Sequence, residues 1–456
     1  MYLCAWKAGF VESIWTEQIE LPKRDSLLQD ITTEALVIGA GMAGVLAAYF
    51  LQEHGIKTVV LEADKVGSGQ SKNTTAKVTS QHGLVYQKLV RKYGERKAAL
   101  YAQANEEAIG CYKKVIEERK IQCDFESLPA YVYSAKKKEN LLEEVKLASA
   151  FGIKAHFVEQ AQLPFEHVGA VCFEGQAQFH PIKFLKEISS FLTIYEKTKV
   201  YKVKGHVAYT EHAKVWADYI VFATHYPIVN VPGFYFMRQH QERSYILALS
   251  GADRLNGMYY SEDVDGISLR DYKGFLLMGG GGHRTGEYKK NCGYGFLRQK
   301  AEQYYPGCEE RYHWSAQDCM THDDFPFIGK YSIYRPYWFV ASGFKKWGMT
   351  TSILAAKLIC DEICGKENSY RKLFSPQRCY PQATGKFCKD MGESVKGLGK
   401  GVYRLVGEKP RCSHMGCALE WNPQEKSWDC PCHGSRFDKE GQLIDNPAKK
   451  DLKNKG

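Results

Sequence analysis

The sequence predicts an α/β chain built on a parallel sheet, divided into more than one domain and ending in a metal-binding unit. Three observations carry this. Residues 35–64, "ALVIGAGMAGVLAAYFLQEHGIKTVVLEAD", read as strand, turn, helix and strand. The chain has 456 residues, more than one ordinary core holds. Of its fifteen cysteines, four crowd into the 21 residues from Cys412 to Cys432, whereas eleven are spread from Cys4 to Cys388.

Composition narrows the class. Hydrophobic residues make up 44% and charged residues 25%, as in a soluble globular protein. No run of about 18 apolar residues is present, so no integral membrane segment is expected. The first residues, "MYLCAWKAGFVESIW", lack a basic region followed by an apolar run, and a cytoplasmic location is expected. The net charge of +10 comes from scattered lysines and arginines without a recognition motif, so no nucleic-acid partner is expected. In a reducing compartment the eleven dispersed cysteines read as thiols.

The first element is the short apolar run Leu36 to Ile38, of the buried parallel-strand type. Gly39, Gly41 and Gly44 follow in G-x-G-x-x-G spacing. The first serves the tight turn, the second lets backbone approach a pyrophosphate, and the third brings helix and strand together. Met42 and Ala43 open the helix, whose N-terminal amides and dipole favour phosphate. That helix carries Val45, Leu46, Tyr49 and Phe50 and ends near Gly55. A second strand, Thr58 to Leu61, delivers Glu62 where a ribose-binding carboxylate belongs. An acid there favours FAD or NAD over NADP. The Gly/Ser/Thr-rich stretch that follows, with Gly69, Thr74 and Thr75, offers small residues and hydroxyls to a pyrophosphate and a flat ring, which favours FAD.

The middle of the chain is mixed α/β. "QANEEAIGCYKKVIEERK" has helical period, and "PAYVYSA", "HVAYTEHAKVWADYIVFAT" and "GFLLMGGGGHRTG" read as strands. "SYRKLFSPQRCYPQATGKFCKD" and "MGESVKGLGKG" are punctuated by proline and glycine and read as a linker region, 366–400.

In the tail, "RCSHMGCALEWNPQEKSWDCPCHGSRF" contains C-x-H-x-x-C and, after a gap, C-x-C-H-G-S. Two cysteines and two histidines at this spacing hold either zinc or a [2Fe–2S] cluster. Zinc needs four ligands and leaves Cys417 and Cys432 without a role.

Several stretches together resemble FAD-dependent oxidoreductases of the D-amino-acid oxidase type, and more narrowly a glycine oxidase-like branch fused to a C-terminal Rieske domain. They are "GSGQSKNTTAKVTSQHG", "AQFHPIKFL", "VFATHYPI", "ERSYILAL", "WSAQDCMTHDDFPFIG" and "ASGFKKWGMTTSILAAKLI". The resemblance implies an oxidoreductase over residues 12–385. Its FAD-binding segments would be about 34–85, 195–230 and 315–365, forming a Rossmann-like parallel-sheet domain. An antiparallel-sheet substrate domain would occupy mainly 86–194 and 231–314. It places Val200 against the adenine and ends the second FAD strand near Thr224. Gly343 and Gly348, with Met349 and Thr350, would bring a helix N-terminus to the flavin's pyrimidine edge, where a positive dipole end stabilises a reduced ring.

Residues 401–456 resemble a small all-β Rieske domain that lacks its closing C-terminal strands. The resemblance implies Cys412, His414, Cys430 and His433 as [2Fe–2S] ligands and a disulfide between Cys417 and Cys432. Ser435 matches a hydroxyl that donates to a bridging sulfide. Phe437 stands where high-potential members carry a tyrosine, so a lower potential is expected.

The implied activity is oxidation of an amine or amino acid by hydride transfer to FAD N5, with electrons passed singly through the cluster to or from a one-electron partner. The catalytic residues are not identified; candidates are Arg243 and Tyr245 for a carboxylate, Lys77 near N5, His225 facing the flavin, and Lys346 just before the late helix. Two other readings stay open: an electron-transfer or redox-sensing protein without metabolite turnover, and a plain flavin oxidase with structural zinc in the tail.

Overall fold

Leu36, Val37 and Ile38 are buried on both sides because their strand lies inside a parallel sheet. The computed structural model describes residues 13–17, 19–288, 291–383, 385, 392 and 409–452. In the first sheet, strand Ile31–Ile38 lies between Thr58–Leu61 and Lys214–Phe222, parallel to both. Thr193–Tyr195 extends one side and Arg335–Ser342 the other, again in parallel, and Phe327–Ser332 pairs antiparallel with the latter. Helices Met42–Glu53, Glu95–Arg119 and Gly348–Ile363 pack together over this sheet, and their apolar residues join its core.

The second sheet has eight strands in the order Glu309–Thr321, Gln239–Ser250, Phe275–Arg284, Ser268–Tyr272, Met258–Ser261, Ala130–Tyr133, Ala170–Phe173 and Ala155–Val158. Its pairs are antiparallel except Met258–Ser261 with Ala130–Tyr133. Two boundaries differ from those expected. Strand Glu309–Thr321 belongs to this sheet, and not wholly to the expected flavin-binding segment 315–365, because it pairs along its length with Gln239–Ser250. Helix Glu95–Arg119, expected in the substrate domain, packs on Gly348–Ile363 of the first layer.

The expected linker is partly folded. Leu373 and Phe374 are buried, and Arg378 forms a two-pronged ion pair with Asp323 at 2.6 and 2.8 Å. Residues 384, 386–391 and 393–400 of that linker, and 401–408 and 453–456 of the tail unit, lie outside the described residues. The described tail forms an antiparallel meander of Glu420–Asn422, Ser427–Asp429, Arg436–Phe437 and Leu443–Asp445 around Leu419, Phe437 and four cysteines. Among the described residues no helix is long and apolar enough to cross a membrane.

Candidate functional site

A cavity of about 780 Å³ opens at the carboxyl ends of the parallel strands, where open α/β sheets bind ligands. The glycine turn forms its floor. Gly39 has φ +104°, and a Cβ there would lie 2.6 Å from the Ala223 carbonyl oxygen; one on Gly44 would lie 1.9 Å from that of Gly39. The turn and the helix packing therefore both need glycine. Gly41, Met42 and Ala43 at the helix start line the cavity, and Ser71 Oγ accepts from the Met42 amide at 2.9 Å. Glu62 accepts from the amides of Ala40 at 2.7 Å and Asp64 at 2.9 Å. Burial raises its carboxyl against the pull of those amides.

Gly69, Thr74, Thr75, Val200, Thr224, Gly343, Gly348 and Met349 also line the cavity. Thr350 does not; its hydroxyl donates to the Thr79 carbonyl at 2.9 Å and accepts from the Thr79 amide at 2.8 Å, pinning that loop to the helix. This cavity, with a glycine turn, a helix N-terminus and a carboxylate at the next strand end, fits FAD.

Of the substrate-site candidates, Lys77, His225, Tyr245 and Lys346 line the cavity. Burial, with the charge of Arg270, lowers the Lys77 ammonium to about 7. Burial lowers His225, whose Nε2 lies 3.2 Å from Gln241 Oε1. Burial alone would lower Lys346, but Glu242 at 3.5 Å, with Tyr260 and Asp318, raises it. Tyr245 meets His283 Nε2 at 2.9 Å and accepts from Asn422 Nδ2 at 3.2 Å.

Contrary to the expectation of a carboxylate-binding residue, Arg243 does not reach the cavity. Its guanidinium is 1% exposed and does not line the cavity. It binds Glu425 and Ser315, because the tail unit docks against its face of the sheet.

In the tail, two similar turns face each other. Gly416 N donates to the Cys412 carbonyl and Gly434 N to that of Cys430, each at 2.9 Å. The Cys412 and Cys430 thiols are hydrogen-bonded, which with nearby amides lowers Cys412 to about 7. The His414 and His433 rings stand 5.0 Å apart at 88°, and Nδ1 of both is buried without a hydrogen-bond partner. Cys417, Cys430 and Cys432 place their sulfurs within 4.8 Å of one another. Two adjoining thiols and two unpartnered imidazole nitrogens fit the mixed ligation of a Rieske [2Fe–2S] centre. The bridge between Cys417 and Cys432 remains a proposal.

Phe437 is buried in the tail core. Phe437→Tyr is expected to raise the reduction potential, since a hydrogen bond of about 1 kcal/mol corresponds to roughly 40 mV for one electron. A redox titration followed by EPR checks this.

The tail also builds the cavity. Leu443, Ile444, Asp445, Asn446, Ala448 and Lys449 line it, and no sequence motif marks them. Asn446 Nδ2 donates to the carbonyls of Thr224 at 2.7 Å and Tyr226 at 3.3 Å. Gln241 Nε2 donates to the carbonyls of His433 at 2.8 Å and Asn446 at 2.9 Å, while its Oε1 faces His225. A Cβ on Gly434 would lie 2.6 Å from that of Gln241, so the contact is close.

Comparison with known proteins agrees with this architecture. Residues 34–362 match the model of the FAD dependent oxidoreductase family, and residues 401–455 match that of the Rieske [2Fe-2S] domain. A protein of Bacillus subtilis (strain 168), named as a Rieske 2Fe-2S iron-sulfur protein, YhfW, is 33% identical over 97% of each chain. Cytochrome b6-f complex iron-sulfur subunit 2 of Trichormus variabilis (strain ATCC 29413 / PCC 7937) is 48% identical over 12% of this chain and 30% of its own length. Glycine oxidase from Geobacillus kaustophilus superimposes with a TM-score of 0.65 at 17% identity, over 76% of this chain and 99% of that one. L-proline dehydrogenase from P. horikoshii does so with a TM-score of 0.64, also at 17% identity, over 76% and 98%.

Proposed function

The chain belongs to the FAD dependent oxidoreductase family and ends in a Rieske [2Fe-2S] domain; from that premise we propose that it oxidises a small amine or amino acid and moves the electrons through the cluster of the same chain. It is a flavin-dependent oxidoreductase whose cofactors are FAD and a [2Fe–2S] cluster. The observation that carries the proposal is the seating of the tail: the segment holding His433 also supplies Leu443 to Lys449 to the cavity wall. Bound FAD would take two electrons from the carbon next to nitrogen, and the cluster would pass them singly.

The chain's own residues supply the rest. The helix start at Gly41 and Ala43 would present amides to a pyrophosphate, with the Met42 amide held by Ser71, and Glu62 would take a ribose. Gly343, Gly348 and Met349, which line the cavity, would bring a second helix N-terminus to the ring. Gln241 joins the cavity residue His225 to the backbone of His433. The family's amine-oxidising chemistry needs the reacting carbon beside the ring and water kept out. The tail serves the second need by closing one side of the cavity.

Anaerobic titration of the full chain with amines and amino acids, followed by flavin absorbance and cluster EPR, tests this. Reduction of both centres by one compound is expected; failure of every amine and amino acid would leave a protein that trades electrons only with a partner. Gln241→Leu removes hydrogen bonds that hold the cluster turn. It is expected to slow cluster reduction roughly tenfold, equivalent to about 1.4 kcal/mol, with flavin reduction by substrate unchanged in stopped-flow traces.

A further inference from the structure

We propose that the end of the cavity beside the second sheet binds the ammonium group of an amine that carries no carboxylate, with Asp318 as the residue that holds it. This deepens the amine-oxidation reading and rests on it for the position of the flavin.

Five carboxylates line the cavity: Glu62, Asp64, Asp263, Asp318 and Asp445. Four are already engaged. Glu62 holds the amides of Ala40 and Asp64, and Asp64 is paired with Lys197. Asp263 accepts from Ser134 and the Ala135 amide, and Asp445 accepts from Arg436 at 2.9 Å. Among the described residues nothing donates a hydrogen bond to the Asp318 carboxylate. Lys345 and Lys346 are cations at this end; Asp324 lies 3.4 Å from the first and Glu242 3.5 Å from the second. With Asp318 ionised, Asp318, Glu242 and Lys346 together carry one net negative charge, and Asp318 and Lys346 line the cavity. Tyr260 and Trp347, with ring centres 5.3 Å apart, stand beside them and offer aromatic faces that also suit a cation.

The lysines at this end are already paired, Lys345 with Asp324 at 3.4 Å and Lys346 with Glu242 at 3.5 Å, which leaves no free cation there for a carboxylate among the described residues. No arginine lines the cavity. Arg243 is one residue from Glu242 on the same strand, so it points to the opposite face, where Glu425 takes it. Arg270 lies three strands from the strand of Asp318, and its Nη1 donates to the Thr75 and Ala76 carbonyls. Lys77 lies near Arg270. At about 4.8 Å per strand, the strands of Arg270 and Asp318 lie about 14 Å apart. Burial also pushes the Asp318 carboxyl up to about 7, so a bound cation would favour its charged form.

The test uses the FAD-loaded, cluster-containing full chain and ligands that cannot be oxidised for lack of a C–H next to nitrogen. tert-Butylamine, 2-methylalanine and pivalate present the same bulk with an ammonium, both groups, or a carboxylate. Calorimetry and perturbation of the flavin band are expected to give binding of tert-butylamine, weaker binding of 2-methylalanine and none of pivalate. Asp318→Asn is expected to weaken tert-butylamine about tenfold or more, with FAD and iron contents unchanged, and Asp318→Glu to keep most of the affinity. Tighter binding of 2-methylalanine or pivalate, or an Asp318→Asn variant that binds tert-butylamine as before, overturns the proposal. If tert-butylamine binds as expected but no oxidisable amine reduces the flavin, the ammonium site stands and the oxidation reading falls.

Discussion

Cys430→Ser is expected to strip the iron and acid-labile sulfide from the protein and to weaken its hold on FAD. The first effect follows from the donor set, in which the Cys430 thiol adjoins that of Cys412 inside the tail core. A hydroxyl is a poor substitute for a thiolate toward iron. The second effect is less direct. Metal binding contributes folding free energy to small metal domains, and this one has a core of few apolar residues around four cysteines. Without its cluster the meander loosens, and Leu443 to Lys449 no longer wall the cavity. Iron and sulfide assays with an FAD dissociation constant check both parts. Normal FAD affinity in an iron-free variant would show that the tail holds its seat without the cluster.

Arg243→Met is expected to undock the tail. Arg243 and Arg436 share Glu425, and Arg436 also binds Asp429 and Asp445. The group carries two positive and three negative charges, largely out of water. Removing one cation leaves three acids around Arg436, and breaking a buried pair in this way costs about 3–5 kcal/mol. Limited proteolysis between the two units should then release the tail. The double variant Arg243→Met with Glu425→Met returns the group to one excess negative charge and should recover most of the lost stability. Equal damage in single and double variants would count against an electrostatic cause.

Acid should act in the same direction. Burial alone would raise Glu425, but Arg243 and Arg436 outweigh it and hold the carboxyl at about 2, below its ordinary 4.5. A depressed folded-state value gives stability that is present above pH 4.5 and lost as pH falls toward 2. The amount is about 3 kcal/mol. Proteolytic release of the tail should therefore become easier across that window in the parent protein and change little in the double variant.

Local patterns made much of this protein legible. The glycine turn, the helix after it and Glu62 follow one another within 24 residues, from Gly39 to Glu62, and each has a short-range reason for its residue type. The cluster turns are likewise local, because a Cys-x-His or Cys-x-Cys-His loop must fold back on itself to present sulfur and nitrogen together. Family resemblance extended this to Val200, Thr224 and Gly343, which all reached the cavity. Thr350, which it also named, does not line the cavity, and its hydroxyl bonds Thr79 instead.

What the residues alone determined, then, were the nucleotide-binding turn and the cluster-binding loops, since both depend on neighbours a few positions apart. Tertiary structure decided that Arg243 meets Glu425, 182 residues later, rather than a substrate. It also decided that Asp318 faces the cavity unengaged and that Leu443 to Lys449 close it. Those outcomes depend on which strand lies beside which and on how one unit seats on another. A strand's alternation fixes that Glu242 and Arg243 face opposite ways, but only packing fixes what waits on each side.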